Sequence, residues 1–236
     1  MDASFYVAAL GACNQQERLN VVANNLANIN TESYQTKDLS FIELMRYNLN
    51  ADGKEKTKLQ AGAGSTYKAV TTNFQSGAIE QTESQYDYAI IGNGFFMLQN
   101  PETNEITYTR NGHFILSKHG ENSYLANENG KYVLSTDKKP IVLVDGEVKG
   151  QIGIADFTNK HWLENIGENE YRANERNGRP LLVENATVQD HCLELSNVNI
   201  AEEYMKMVES QRAYSYALKM LQTSDEIETV ITNLRG

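Results

Sequence analysis

ASFYVAALGACNQQERLNVVANNLANIN, residues 3–30, is the stretch whose reading decides the fold. Its positions Phe5, Ala8, Ala12, Leu19, Val22, Leu26 and Ile29 step by three and four, with Gln15 filling the gap between Ala12 and Leu19. That is the spacing of a seam between supercoiled helices. The far end of the chain repeats it in Ile200, Tyr204, Met207, Tyr214, Leu218 and Leu221, with Gln211 in the gap. Two helices packed on one globular core would give such spacing too, but the composition of the first points elsewhere. Between Ala3 and Thr31 the only charges are Glu17 and Arg18, while Asn14, Asn20, Asn24, Asn25, Asn28 and Asn30 crowd the polar positions. A helix with one face in water normally carries charges there. Uncharged amides suit a helix contacted on several sides, where each can trade hydrogen bonds with a neighbouring backbone.

The first helix is expected over Ala3 to Asn30, roughly 40 Å long, and Thr31 to Tyr34 ends it. A second should open at Asn199 as cap, with Glu202 reaching back as in a capping box, and run to Leu234. Glu202 with Lys206 and Glu209 with Arg212 are spaced for ion pairs along it. After Leu221 the apolar positions slip to Ile227, Ile231 and Leu234, either a stammer or the point where contacts pass to another subunit.

Between the helices the signals are short strands, at 86–91, 94–99, 106–110, 113–116, 131–134, 140–144 and 151–157. Gly92-Asn93, Asn111-Gly112, Asn129-Gly130 and Asp145-Gly146 bound them, and the Asn-Gly and Asp-Gly pairs are preferred hairpin centres because both positions tolerate positive φ. The fold class is therefore α+β, with long terminal helices in a coiled-coil-like bundle and a central, mostly antiparallel β domain. The expected division is 1–35 with 196–236 for assembly, an extended linker over 36–66, and a β-rich outer domain over 67–195.

The chain has 236 residues and a formal charge of -10, with a pI near 4.9 and mean hydropathy of -0.53. Such an acidic chain is a poor partner for nucleic acid, whose binding needs clustered Lys and Arg. No apolar run approaches the roughly 20 residues of a membrane helix, and Met1-Asp2-Ala3-Ser4 is unlike a cleaved secretion signal. Cys13 and Cys192 read as buried small hydrophobes. His113, His119, His161 and His191 have no metal-ligand spacing, and His191-Cys192, adjacent in a strand, would point to opposite faces. Gly92-Asn93-Gly94 precedes a strand, where a phosphate loop requires a helix. No catalytic residue, cofactor or metal site is expected, and the chain reads as a non-enzyme.

The motifs themselves resemble a known family, the bacterial flagellar axial proteins, and within it the rod and hook group. Asn24-Asn25-Leu26-Ala27-Asn28-Ile29-Asn30-Thr31-Glu32-Ser33-Tyr34 is similar to the family's ANNLANxNTxGY, with Ser33 where Gly is usual. Ser196-Asn197-Val198-Asn199, then Glu202-Glu203, then Gln211-Arg212-Ala213-Tyr214 resembles its C-terminal signature. Ile91-Gly92-Asn93-Gly94-Phe95-Phe96, Tyr108 to Phe114 and the turn Leu163 to Tyr171 resemble its GxGFF, YTRxGxF and LxxxGxNxY elements.

The resemblance implies a tubular polymer whose terminal helices line the inside, built from this subunit with other rod and hook subunits, outside the cytoplasmic membrane. It also implies delivery by the flagellar type III export apparatus, with Phe41 and Met45 resembling an export-gate motif. A distal rod protein fits best and a proximal one closely, while hook proteins usually carry larger outer domains. A secreted β-domain binding module oligomerised by its ends is the alternative from another class. In the rod reading the ends are expected to be flexible in the monomer and ordered by neighbours, whereas the binding module would form a defined small oligomer.

Overall fold

The computed structural model describes residues 3–44, 46–48, 60–119, 122–144, 147–148, 150–183 and 186–235. The class is α+β, with two long helices and an antiparallel β domain between them in sequence. Two compact units divide the chain, one of residues 1–27, 37–71 and 199–236, the other of residues 28–36 and 72–198.

The helical unit holds α1 (Ala3–Ala27) and α2 (Ile200–Arg235). Asn199 Oδ1 accepts from the amides of Ala201 at 3.1 Å and Glu202 at 3.5 Å, capping α2. Glu202 meets the cap's side chain, with Asn199 Nδ2 donating to Oε1 at 3.2 Å. The two acidic residues of the first turn, Glu202 and Glu203, oppose the positive end of the helix dipole. The helices run antiparallel, because Ser4 lies against Ser224, Arg18 against Glu209 and Asn25 against Glu203. Lys37–Glu43, in the span read as an extended linker, pairs with Ser65–Thr72, which begins at its end and continues beyond it, and within that span Arg46–Asn48 pairs antiparallel with Gln60–Gly62. Ser40 and Thr71 add side-chain bonds across the first of these pairs. The glycines at 62 and 64 thus punctuate paired strands where the sequence suggests only loop.

In the β unit the main sheet runs, in spatial order, through Glu147–Val148, Val142–Val144, Asn122–Ala126, Tyr132–Val133, Phe95–Gln99, Ile106–Thr109, Glu170–Arg172 and Glu164–Gly167. Phe95–Gln99 is buried on both faces, so it reads as a continuous apolar run. Phe96 and Leu98 join Ile90, Phe114 and Leu125 on one side, while Phe95 and Met97 join Tyr108, Phe157 and Tyr171 on the other. Edge-to-face ring pairs such as Tyr108 with Phe157 at 4.8 Å fix the second cluster. Burial raises the pKa of Tyr171 strongly, and raises those of Tyr108 and Tyr88. Because the folded state holds these protons above the unfolded value of 10.0, their contribution is complete below pH 10 and lost as pH rises further. The urea midpoint of the protein is expected to fall above pH 10, and Tyr171→Phe to flatten that slope. An unchanged slope in the variant refutes the assignment.

The hairpin reading divides among its positions. Asn129-Gly130 does sit in the loop joining Asn122–Ala126 to Tyr132–Val133, with Gly130 at φ 75°. Asn111-Gly112 joins strands that pair with other partners, and Gly112 is needed for close approach instead, since a Cβ there would stand 1.6 Å from the Tyr88 carbonyl oxygen. Asp145-Gly146 lies outside the described residues. At the tip of Glu164–Gly167 and Glu170–Arg172, Glu168 and Asn169 both have positive φ, the two-residue hairpin geometry, without an Asn-Gly pair to announce it. His191, at φ 56°, lies just before Cys192–Glu194 and is not a strand residue as expected.

Candidate assembly interface

In the helical unit the expected seam residues fall into two sets. Ala12 and Val22 are buried, and Phe5, Ala8, Leu19 and Leu26 are half-buried on α1. Met207, Tyr214 and Leu221 are half-buried on α2, whereas Ile200, Tyr204 and Leu218 are exposed. Ile29 lies beyond α1, in the turn. The covered side of α2 is Glu203, Met207, Ser210, Ala213, Tyr214, Ala217 and Leu221. At about 100° per residue, Ile200, Tyr204, Val208 and Leu218 form one outward flank, and Met205, Tyr216, Met220 and Ile227 form another. Apolar flanks left outward on a helix are surfaces that another chain can cover. The heptad reading missed the second flank, because a single seam was sought where three apolar directions share one helix.

Gln15, the gap-filler of the first seam, has its Oε1 buried without a hydrogen-bond partner. Cys13, read as buried, is exposed, since it sits on α1 between buried Ala12 and Asn14 and points away from both. The expected pairs also change partner. Lys206 reaches Glu203 at 2.7 Å and Asp38 at 2.9 Å in place of Glu202, and Glu209 faces Arg18 at 3.7 Å. Burial pulls the Lys206 pKa down, but its hydrogen bonds to Glu203 and Asp38 and their charges together outweigh this and leave it raised.

The Asn-rich motif has a specific use at Asn25. Its Nδ2 donates to the Lys37 carbonyl at 2.8 Å and its Oδ1 accepts from the Lys37 amide at 3.0 Å. The side chain thereby imitates a backbone strand partner, while Nδ2 also donates to Glu203 at 3.0 Å. Asn14 Nδ2 likewise donates to the Ser65 carbonyl at 2.6 Å. Of the other motif residues on the two helices, Asn24, Ala27, Gln211 and Arg212 are exposed. Phe41 is exposed within the strand Lys37–Glu43, and Met45 lies outside the described residues.

In the β unit the motif residues converge around Asn197 and a buried ion pair. Asn197 Oδ1 accepts from the Thr36 amide at 2.7 Å and from its hydroxyl at 2.5 Å. Its Nδ2 donates to Gln35 Oε1, Asn73 O and Gln75 O at 2.8–3.0 Å. Asn197→Ala is expected to cost roughly 3 kcal/mol, because several polar groups lose their partner at once. Chemical denaturation measures it, and a loss under 1 kcal/mol refutes the role.

Beside this, Arg110 and Glu194 are each 1% exposed in their side chains and meet at 2.9 Å. Arg110 donates further to Gly92 O, Gly94 O and Ser76, and Glu194 accepts from the Gly77 amide and from Gln35. Sequence inspection placed Arg110 in the YTRxGxF element but passed over Glu194 and the pairing, since nothing local marks an Arg and a Glu so far apart as partners. Ser33, at φ 54°, occupies the left-handed conformation where Gly is usual, and its hydroxyl donates to Arg110 O at 2.9 Å. Ser33→Ala keeps the backbone cost and loses the bond, an expected loss of about 1–2 kcal/mol, while Ser33→Gly should lose less. Equal thermal midpoints for the two variants would contradict this.

Among the described residues no helix is long and apolar enough to cross a membrane, and no group of His, Cys, Asp and Glu is arranged to hold a metal ion.

Comparison with known families agrees with this arrangement. Residues 5–35 match the model described as flagella basal body rod protein, residues 89–167 the flagellar hook protein FlgE/F/G D1 domain, and residues 189–234 the flagellar basal body rod FlgEFG protein C-terminal region. The chain is 30% identical over 258 residues to the flagellar basal-body rod protein FlgG of Buchnera aphidicola subsp. Schizaphis graminum, covering 98% of this chain and 99% of that one. It is 28% identical to FlgG of Bacillus subtilis, with 98% of each chain covered, and 30% identical to the rod protein FlgF of Caulobacter vibrioides, with 96% and 95% covered. With both terminal motifs, the β domain between them and relatives matched end to end, the chain belongs to the flagellar basal-body rod protein family.

Proposed function

We propose that this rod-family chain is a distal-type subunit that polymerises helically into a hollow drive shaft, passing torque and leaving a channel for exported subunits. The observation that carries the reading is α2, which covers one side against α1 and leaves two further apolar flanks outward. Large side chains there contribute roughly 1.5–3 kcal/mol each when buried, which favours association with other copies and with neighbouring rod and hook subunits. Location in the basal body outside the cytoplasmic membrane and delivery through the type III export apparatus follow from the same reading. It assigns the chain no catalysis.

Sedimentation and electron microscopy at rising concentration test the proposal. Open tubes or filaments are expected. A small closed oligomer would favour the secreted binding module instead. In dilute protein, amide exchange is expected to be faster along α2 than along Phe95–Gln99, since neighbours that would cover the helix are absent. Equal protection in both would show that the helix pair needs no neighbours.

A further inference from the structure

We infer that Met205 and Met220 are modification sites, at which a hydroperoxide oxidises the thioethers of the free chain to sulfoxides and withholds it from assembly until they are reduced. The effect on assembly rests on the helical-polymer reading above.

Both side chains stand open to solvent, Met205 being 60% and Met220 59% exposed. At about 100° per residue they lie within about 60° of each other around α2, on the flank that also carries Tyr216 and Ile227. Met97, by contrast, is 1% exposed, and a Cβ added at Gly153 would stand 2.5 Å from its Cε. A core so closely packed keeps the oxidant out and has no room for a further oxygen on sulfur. Met207 is half-buried on the covered side of α2. Oxidation follows access, so the two outward thioethers react first.

The step needs only the hydroperoxide. A sulfur lone pair attacks one peroxide oxygen, the O–O bond breaks as the S–O bond forms, and the proton of the transferred oxygen passes to the departing one, which leaves as water or an alcohol. Sulfur is oxidised and the peroxide reduced. A flexible apolar group thereby becomes a polar acceptor. On the free chain the new oxygen faces water, so the fold is indifferent to it. Under a neighbouring copy it would be buried without a partner, which weakens association. The modification therefore acts on assembly and spares the fold, and methionine sulfoxide reductases reverse it.

The test uses a Cys13→Ser chain, which lacks the exposed thiol, treated as dilute monomer with hydrogen peroxide and mapped by peptide mass spectrometry. Sulfoxide is expected at Met205 and Met220 about tenfold faster than at Met97, and equal rates overturn the site assignment. The treated chain should keep its circular dichroism but need about a tenfold higher concentration to give sedimentable polymer, and reductase should restore the untreated threshold. An unchanged threshold after full conversion of both residues overturns the switch and leaves the rod reading intact. Met205→Leu/Met220→Leu in the same background should polymerise at the untreated threshold before and after peroxide, and sensitivity equal to that of the parent places the effect elsewhere and overturns the inference. An untreated chain that never polymerises overturns the helical reading and the switch together.

Discussion

Arg110→Ala is expected to destabilise the β unit by about 3–5 kcal/mol, because it leaves Glu194 charged and buried with its main partner gone. The carboxylate would keep the Gly77 amide and Gln35, which soften the loss without replacing a cation. Removing the guanidinium also releases the Gly92 and Gly94 carbonyls and the Ser76 hydroxyl. Arg110→Lys should recover only part of the stability, since an ammonium cannot present the planar fork that reaches Glu194, Ser76 and two carbonyls together. Urea denaturation of the three proteins measures the order. A wild-type midpoint in Arg110→Ala would show that the pair holds nothing in place. The double variant Arg110→Met/Glu194→Leu is expected to lie above either single one, since it removes both charges.

The second large effect concerns association. Leu218→Asp puts a carboxylate on an outward flank of α2, where the single chain leaves the position exposed. The monomer should therefore keep its fold and thermal midpoint. Covering the carboxylate in a polymer forfeits the leucine's burial and adds desolvation, together above about 3 kcal/mol per contact and so more than about a hundredfold in affinity. Leu26→Asp differs, because Leu26 is half-buried on α1 within the chain. It should impair both the helix pair and assembly. Sedimentation with circular dichroism separates these outcomes, and filaments of Leu218→Asp at the wild-type threshold would sink the flank assignment.

The terminal helices were legible because their periodicity and the Asn199 cap are local signals, although α1 ends at Ala27, three residues before the expected Asn30. The central strand at Phe95–Gln99 was legible for the same reason, as an apolar run bounded by glycine. Longer-range choices were not. Asn25 reads as one amide among six, and only the approach of Lys37 makes it a strand mimic. Lys206 has Glu202 four residues before it, yet Asp38 and Glu203 sit closer, and spacing along one helix cannot register a partner from a strand. The second flank of α2 was hidden because a heptad template assigns one seam and treats Met205, Tyr216 and Met220 as surface. The paired strands around residues 37–72 escaped notice for want of clean alternation, most of their side chains being exposed.

Asn197 has a topological consequence. The chain first leaves the β unit after residue 36 and last leaves it after residue 198, and the segments at these two exits are bonded to each other through Tyr34, Thr36 and Asn197. Within the β unit the Thr36–Asn197 bonds close a loop of 161 residues, so losing them would release two segments that the sequence sets far apart.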